Sequence, residues 1–273
     1  MIVDVDVDAF AAARPRLVGI AYRMLGSVAE AEDVVGDVAE RWLAADRDAI
    51  IEPEAWLVTV TTRRALDIAR SARLQRVDYP GEWLPEPIDT TDDTAIDVER
   101  RETLTFGFLL LLERLTPVER AVFVLHDVLE MPYRVVAEAV GRSEAACRQA
   151  LRRARQHVTL PERSTAADRE RAEAVANRFM AVTLGGDVDE LLAMLAPEVY
   201  ATSDGGGVVH AAMRTVTEPT RVARFLSNLA ARRSVDAFVH PCELNGEPAV
   251  VLHNATGWVA LIASSAGNTI TGI

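Results

Sequence analysis

The sequence predicts two all-α domains followed by an α+β domain. Apolar residues recur at helical spacing through residues 8–75 and again through 100–158. Between these stretches, three prolines and one glycine in residues 79–87 prevent a helix from continuing. Beyond residue 195, short alternating or β-branched segments are separated by the turn sequences Asp204–Gly207 and Asn245-Gly246. Three helices, over residues 168–184, 187–195 and 218–232, accompany those strands, so the C-terminal part is predicted to be α+β.

These patterns divide the chain into four parts. We expect a first helical domain over residues 1–76, a linker over 77–99, a second helical domain over 100–163 and an α+β domain over 168–273. The linker contains Tyr79, Trp83 and Leu84, large apolar groups that a fully solvated segment seldom carries. We therefore expect the linker to dock, with Trp83 buried against the C-terminal domain.

Composition excludes several classes of protein. The net charge is −12, which disfavours nucleic-acid binding by the whole surface, although all 29 basic residues are arginines and they are unevenly distributed. Cys147 and Cys242 are far apart, so neither a disulfide framework nor a metal site is expected. No apolar run reaches the roughly 18 residues of a membrane helix, and the N-terminus is acidic where a signal peptide is basic. A cytoplasmic protein is expected.

Residues 116–158 have the pattern of a helix-turn-helix. Thr116, Pro117 and Glu119 predict a capped helix start. A short helix beginning at Pro132 follows, then a turn at Gly141. Ser143 is predicted to cap the last helix.

The last helix has an apolar face and a basic face. Cys147, Leu151, Ala154 and Val158 share one side, whereas residues 143–158 contain four arginines against one acid. Arginine binds phosphates and guanine, and glutamine binds adenine, so this helix suits the major groove. The alternative is a solvated arginine face near a helix C-terminus, where cations are also favoured. The predicted DNA-binding residues of this helix are Ser143, Arg148, Gln149, Arg152 and Arg155.

Two helices in the first domain carry opposite charge. The helix after Ser27 is acidic, and the helix after Pro53 is basic toward its end. This asymmetry indicates a basic protein partner for the first helix and nucleic acid for the second, or else two surface helices that pair with each other. The acidic residues are Glu30, Glu32, Asp33, Asp37 and Glu40, and the basic residues are Arg63, Arg64, Arg70, Arg73 and Arg76.

Three segments of the chain, taken in order, resemble a bacterial extracytoplasmic-function sigma factor. They are AEAEDVVGDVAERWL, PEAWLVTVTTRRALDIARSAR and LTPVERAVFVLHDVLEMPYRVVAEAVGRSEAACRQALRRAR. The resemblance implies that Asp33 and Asp37 contact the β′ clamp helices of core RNA polymerase, and that the second helical domain contacts the β flap. It places Arg63, Arg64, Arg70 and Arg73 near the minus-ten strand of a promoter. It places Arg148, Gln149 and Arg152 at the minus-thirty-five duplex.

The linker and C-terminal domain resemble those of the sigma-factor subgroup that carries a fused SnoaL-like domain. The resemblance implies an α+β cone with a pocket and control of sigma activity in cis. The residues that carry it are Trp83, Leu84, Pro85, Glu86 and Pro87 of the linker and Asp204, Gly205, Gly206 and Gly207 of the turn. An unknown small ligand could occupy the pocket.

The sequence favours a sigma factor over two other functions. A SnoaL-type enzyme or binder would need an acid or base, but Asp204, His210, His240 and His253 show no catalytic spacing. No catalytic residue or cofactor is therefore predicted. A repressor would dimerise on a palindrome and would not need the paired acidic and basic helices. We expect a protein that is monomeric when free.

Overall fold

The computed structural model describes residues 4–75, 83–90, 103–161, 165–205, 212, 214–231, 238–254 and 257–273. These residues form two compact units, one containing α1–α7 and the other α8–α10 with the strands. The helices are α1 Asp4–Leu25, α2 Val28–Ala44, α3 Pro53–Gln75, α4 Phe106–Glu113, α5 Pro117–Phe123, α6 Tyr133–Val140, α7 Glu144–Ala154, α8 Ala166–Gly185, α9 Val188–Met194 and α10 Pro219–Ala231. The strands are β1 Leu195–Ala201, β2 Val216–Thr217, β3 Phe238–Leu244, β4 Glu247–Asn254, β5 Gly257–Ile262, β6 Ser264–Ala266 and β7 Thr269–Gly272.

Local capping signals set the helix starts of the first unit. The Ser27 hydroxyl accepts from the Glu30 N–H, and Thr116 with Glu119 forms a complete capping box. Ser143 caps α7 by accepting from the N–H of Ala146. These predicted starts are confirmed.

Helices α1, α2 and α3 pack as a bundle, and α1 and α3 also contact the helix-turn-helix within the same unit. The bundle core includes Leu17, Ile20 and Tyr22 of α1, which are fully buried. Arg120 of α5 is buried as well, and its guanidinium donates to the carbonyl oxygen of Met24 at 2.8 Å. The bundle and the helix-turn-helix are therefore joined by a buried polar contact.

The helix-turn-helix of residues 116–158 contains α5, α6 and α7, with its tight turn at Gly141 between α6 and α7. A π-helical turn, Val124–Val128, ends α5. Gly141 has a φ of 68°, a conformation that glycine adopts without the strain that a side chain would add. Cys147, Leu151, Ala154 and Val158 are all buried, so the predicted inward face of α7 is confirmed.

The second unit packs helices against two small sheets. One sheet has the order β2-β1-β7-β6 with β1 and β7 parallel, and the other is the antiparallel meander β3-β4-β5. The core between them contains Phe179, Leu191, Leu226, Val250 and Ile270, all buried. This helix-and-sheet architecture confirms the predicted α+β class.

Some strand boundaries differ from the prediction. The prediction lacks β2, β6 and β7, because β2 has only two residues and the short strands β6 and β7 contain serine, threonine and glycine rather than an apolar alternation. The hairpin at Asn245-Gly246 is confirmed, with both residues at positive φ. The strand predicted over 208–210 lies outside the described residues. No described helix combines the length and apolar character needed to cross a membrane.

Candidate nucleic-acid interface

The predicted DNA-binding side chains of α7 are exposed on one surface of the first unit. Arg148, Gln149, Arg152 and Arg155 are exposed, while the neighbouring Ala150 is buried. Helix α7 is therefore amphipathic, with its polar face exposed to solvent as the sequence predicts.

Several of these arginines are held by groups of the same unit. Arg148 pairs with Glu144 at 3.2 Å and lies 5.0 Å from the centre of the Tyr133 ring. Arg155 makes two hydrogen bonds to Asp127, at 2.7 and 2.8 Å, and this bonding raises the pKa of its guanidinium. Since the Asp127 side chain is only 8% exposed, the pair fixes the end of α7 to the preceding π-helical turn.

Arg153 is held in a similar way by the helix cap. Its Nε donates to Glu119 at 2.6 Å. Burial raises the pKa of Glu119, but hydrogen bonds from Arg153 and Thr116 lower it by more. The pKa of Glu119 therefore lies below its ordinary value. Glu119 therefore stays ionised and serves both the start of α5 and the surface of α7.

Gln149 and Arg152 remain available. Within the described residues, neither side chain has a hydrogen bond or an ion pair. Arg142, in the turn before α7, is likewise exposed and without such a partner in the same residues. Among the described side chains of this surface, these three could contact a ligand without first giving up a hydrogen bond or an ion pair.

The acidic and basic helices of the first unit partly neutralise each other. Asp37 of α2 accepts from Arg64 of α3 at 2.6 Å, which is the pairing that the sequence left open as an alternative. Asp33 is exposed and has no ion pair among the described residues. Of the two aspartates, Asp33 is thus the one whose carboxylate is not already paired among the described residues.

The remaining basic residues of α3 have different surroundings. Arg63 is exposed and donates to the carbonyl oxygen of Glu138 at 2.8 Å. Arg70 lies 3.5 Å from Asp67, a solvent-exposed contact that contributes little to stability. The side chain of Arg73 lies outside the described residues.

Two buried hydroxyls on α3 have no hydrogen-bond partner. Thr61 and Thr62 are both 0% exposed, and neither Oγ1 atom finds a partner in the described part of the chain. A buried polar group left in this state costs about 1–3 kcal/mol. A core built only for stability would carry valine at these positions.

We therefore expect Thr62→Val to raise the free energy of unfolding by about 1 kcal/mol, because it removes an unsatisfied hydroxyl with little change in volume. Urea unfolding of the full chain measures this change. Thr183→Val is the matched control, since the buried Thr183 hydroxyl donates to the carbonyl oxygen of Phe179 at 2.8 Å. A Thr62→Val protein less stable than wild type would contradict the prediction.

Linker residues 83–90 are bound within the second unit. The N–H of Leu84 donates to Asp204 at 2.9 Å, the residue that opens the predicted glycine-rich turn. Trp83, predicted to be the buried anchor, is only half-buried, whereas Pro85, Ile88 and Thr90 are buried. Glu86 and Pro87 are exposed, Gly205 is half-buried, and Gly206 and Gly207 lie outside the described residues.

Asn245 is the main binding residue for this segment, and sequence reasoning missed it. Its Oδ1 accepts from the N–H of Ile88 at 3.0 Å, and its own N–H donates to the carbonyl oxygen of Ile88 at 2.8 Å. Thr90 completes the attachment, because its N–H donates to Glu243 and its hydroxyl accepts from Gly246. Asn245 is fully buried at a φ of 55°. The Asn-Gly pair indicated only a hairpin, since a turn signal does not show what the turn will contact.

Among the candidate acid or base residues of the C-terminal part, two histidines share one face of a sheet and the aspartate is bonded to the linker. His240 and His253 lie on β3 and β4, on the face opposite the core residues Val250 and Leu261. Asp204 is instead engaged with the linker, and His210 lies outside the described residues.

Comparison with known proteins identifies relatives over most of the chain. Residues 9–75 match the family described as sigma-70 region 2, and residues 107–158 match sigma-70, region 4. The ECF RNA polymerase sigma factor SigJ of Mycobacterium tuberculosis is 41% identical over 232 residues, which are 83% of this chain and 74% of that protein. A probable ECF RNA polymerase sigma factor, SigI, of the same species is 34% identical over 203 residues, or 72% of this chain and 69% of that one. The crystal structure of SigJ aligns with a TM-score of 0.78 at 34% identity, covering 97% of this chain and 94% of that one.

Proposed function

This chain belongs to the family of extracytoplasmic-function RNA polymerase sigma factors, and from that premise we propose that its linker and C-terminal unit adjust promoter recognition in cis. As a sigma factor, it directs core RNA polymerase to promoters and starts transcription. We further infer that it acts without catalysis of its own. The hydrogen bond of Asp204 to the Leu84 N–H, and the position of His240 and His253 on the sheet face opposite the core, support this inference.

The acidic helix α2 is our proposed contact for the β′ clamp helices of core polymerase. Asp33 supports this assignment best, because it is exposed and free of ion pairs among the described residues. Asp37 would first have to exchange Arg64 for a basic group of the polymerase. The second helical domain would meet the β flap.

Promoter DNA would be bound by two surfaces. On α3, the basic residues Arg63, Arg64, Arg70 and Arg73 would contact the minus-ten strand. On α7, Gln149 and Arg152 would read bases of the minus-thirty-five duplex, while Arg148 would contribute after leaving Glu144. The binding of arginine to phosphate releases counterions, so affinity is expected to fall steeply with salt.

Control in cis rests on the attachment of the linker. Among the described residues, six hydrogen bonds hold residues 84–90 to Asp204, to Glu243 and to the Asn245-Gly246 turn. Their donors are the N–H groups of Leu84, Ile88, Thr90, Asn245 and Gly246 and the Thr90 hydroxyl. A linker held in this way allows a shorter distance between the two helical domains that it joins than a free chain of the same length would. The attachment therefore sets how far the two DNA-binding parts can separate, and this single observation carries the proposal.

We expect Asn245→Gly to weaken the attachment by about 1–3 kcal/mol, because it leaves the buried Ile88 N–H without its acceptor. Glycine tolerates the positive φ at this position, so the loss reports the side chain and not backbone strain. Limited proteolysis of residues 83–90 measures the release. Asn268→Gly, in the exposed turn between β6 and β7, is the matched control. Equal proteolysis of the two variants would contradict the expected role of Asn245.

The functional test is promoter-specific transcription by core polymerase with the full chain. Wild-type protein is expected to support initiation, and Asn245→Gly is expected to change its rate while Asn268→Gly does not. The direction of the change shows whether the attached linker inhibits or activates. If all three proteins initiate at equal rates although the linker is released in Asn245→Gly, the proposal of control in cis is wrong and the sigma assignment still holds.

A further inference from the structure

Tyr133 lies against the guanidinium of Arg148. Tyr133 is the first residue of α6, and the guanidinium carbon of Arg148 on α7 is 5.0 Å from the centre of its ring. A cation within about 6 Å of an aromatic ring is attracted by the negative face of the ring. The tyrosine is half-buried, whereas Arg148 is exposed on the surface that we propose to bind DNA. Tyr133 therefore connects the packed part of the helix-turn-helix to a side chain that would contact bases.

The ring of Tyr133 is itself held in place by His126. The two rings are stacked, with their centres 4.1 Å apart and an angle of 29° between their planes. Nδ1 of His126 lies 2.8 Å from the carbonyl oxygen of Met131. Because a carbonyl oxygen only accepts hydrogen bonds, Nδ1 carries the hydrogen and donates it. This bond fixes the imidazole ring, and the stacked imidazole restricts the tyrosine ring against which Arg148 lies.

Tyr133 also acts on the far end of the same face of α7. Hydrogen bonding to Asp127 is the main cause of the raised pKa of Arg155, and an electrostatic interaction with Tyr133 is a smaller one. Arg155 follows Arg148 by seven residues, which is about two turns of an α-helix. The Tyr133 hydroxyl makes no hydrogen bond among the described residues. Tyr133 thus lies beside the arginines of α7, and its close contacts are made by the ring.

The two contacts of Arg148 differ in what they leave available for DNA. The pair with Glu144 uses an N–H of Nη1 at 3.2 Å, so it competes with a hydrogen bond to a base. Contact with the Tyr133 ring depends on the charge of the guanidinium and requires no lone-pair acceptor. Arg148 can therefore exchange Glu144 for a base while it stays against the ring. An arginine restricted in this way loses less conformational entropy when it binds.

We propose that Tyr133 is a positioning residue for promoter recognition, whose ring, supported by His126, directs Arg148 toward the minus-thirty-five duplex. The proposal rests on the proposed contact of Arg148 with that element. Its consequence is that a residue of α6, which reads no base itself, sets part of the sequence preference of α7.

The test is a double-mutant cycle in the full chain bound to core polymerase, with wild type, Tyr133→Leu, Arg148→Ala and the protein that carries both changes. The probes are a duplex with the minus-thirty-five element of a promoter that the wild-type holoenzyme transcribes, and the same duplex with that element scrambled. Tyr133→Leu is expected to weaken binding to the promoter duplex by about threefold, the effect of losing an exposed cation–π contact. Binding to the scrambled duplex should change less. In the Arg148→Ala background, the same replacement is expected to have no effect.

Tyr133→Phe separates the role of the ring from that of the hydroxyl. This variant keeps the ring and is expected to bind both duplexes as wild type does. If the Tyr133 hydroxyl instead binds a backbone phosphate, Tyr133→Phe weakens binding to both duplexes, because phosphate contacts do not depend on sequence. That result would overturn the positioning role.

The cycle distinguishes the positioning role from the sigma function. A loss in Tyr133→Leu that disappears in the Arg148→Ala background supports the positioning role. No loss, or an equal loss in both backgrounds, overturns it. If Arg148→Ala binds both duplexes as wild type does, while the wild-type holoenzyme initiates at the promoter, the positioning role is wrong and the sigma function stands. A wild-type protein that supports no initiation with core polymerase overturns the positioning role together with the proposed function.

Discussion

Replacement of Arg120 by methionine is expected to lower the free energy of unfolding by about 3 kcal/mol, because it removes buried hydrogen bonds from a charged donor, each of which contributes about 1.5–3 kcal/mol. The Arg120 guanidinium donates to the carbonyl oxygens of Leu112 and Met24, at 3.0 and 2.8 Å, and also bonds Glu113. Methionine fills a similar space but removes the guanidinium from both carbonyls and from the Glu113 carboxylate, while the Leu112 oxygen keeps the N–H of Leu115 as a donor. Urea unfolding of the full chain, followed by circular dichroism, measures the loss.

The matched control for Arg120→Met is Arg114→Met. Arg114 is exposed, and its side chain has no hydrogen bond or ion pair among the described residues. Surface substitutions of this kind change stability by about 0.5 kcal/mol or less. If the two variants unfold at the same urea concentration, Arg120 does not join the bundle to the helix-turn-helix in the way the structure indicates.

Arg152→Ala is expected to reduce the affinity of holoenzyme for the minus-thirty-five duplex by about tenfold or more, since a bidentate contact to a base contributes about 1–3 kcal/mol. Arg152 is available because it makes no ion pair within the described residues. Electrophoretic mobility shift with a promoter duplex, and with a duplex scrambled at minus thirty-five, measures the loss. The effect should be larger on the promoter sequence than on the scrambled one.

Arg153→Ala is the matched control for Arg152→Ala, because it removes the same charge from the adjacent position of α7. The Arg153 side chain is held by Glu119 at 2.6 Å, so we expect less than a threefold change in promoter affinity, a factor that corresponds to under about 1 kcal/mol. Loss of affinity to the same extent in both variants would mean that α7 contributes only charge, and that its arginines do not read bases.

Local signals in the sequence were enough to place most of the helical architecture. Ser27, Thr116 and Ser143 cap their own helices, and Gly141 provides its own turn, because each acts on backbone groups within about four residues. The apolar face of α7 follows from spacing alone. The strands β6 and β7 were not predictable from local sequence. Strand β7 pairs with both β1 and β6, and no local pattern shows such pairing.

The candidate site was only partly predictable, for a related reason. Charge and spacing identified the basic faces of α3 and α7, but ion pairing depends on residues distant in the chain. Arg155 is held by Asp127 and Arg64 by Asp37, whereas Arg152 is left available, and no pattern around these arginines distinguishes them.

By itself, the sequence determined the class of fold, the two helical DNA-binding parts and the family, because caps, periodicity and motif order are properties of neighbouring residues. Tertiary structure alone decided that Asn245 binds the linker in place of a buried Trp83, and that α6 bonds Arg63. Such contacts join residues 75 and 157 positions apart. They depend on how the folded elements meet, and local sequence preferences do not contain that information.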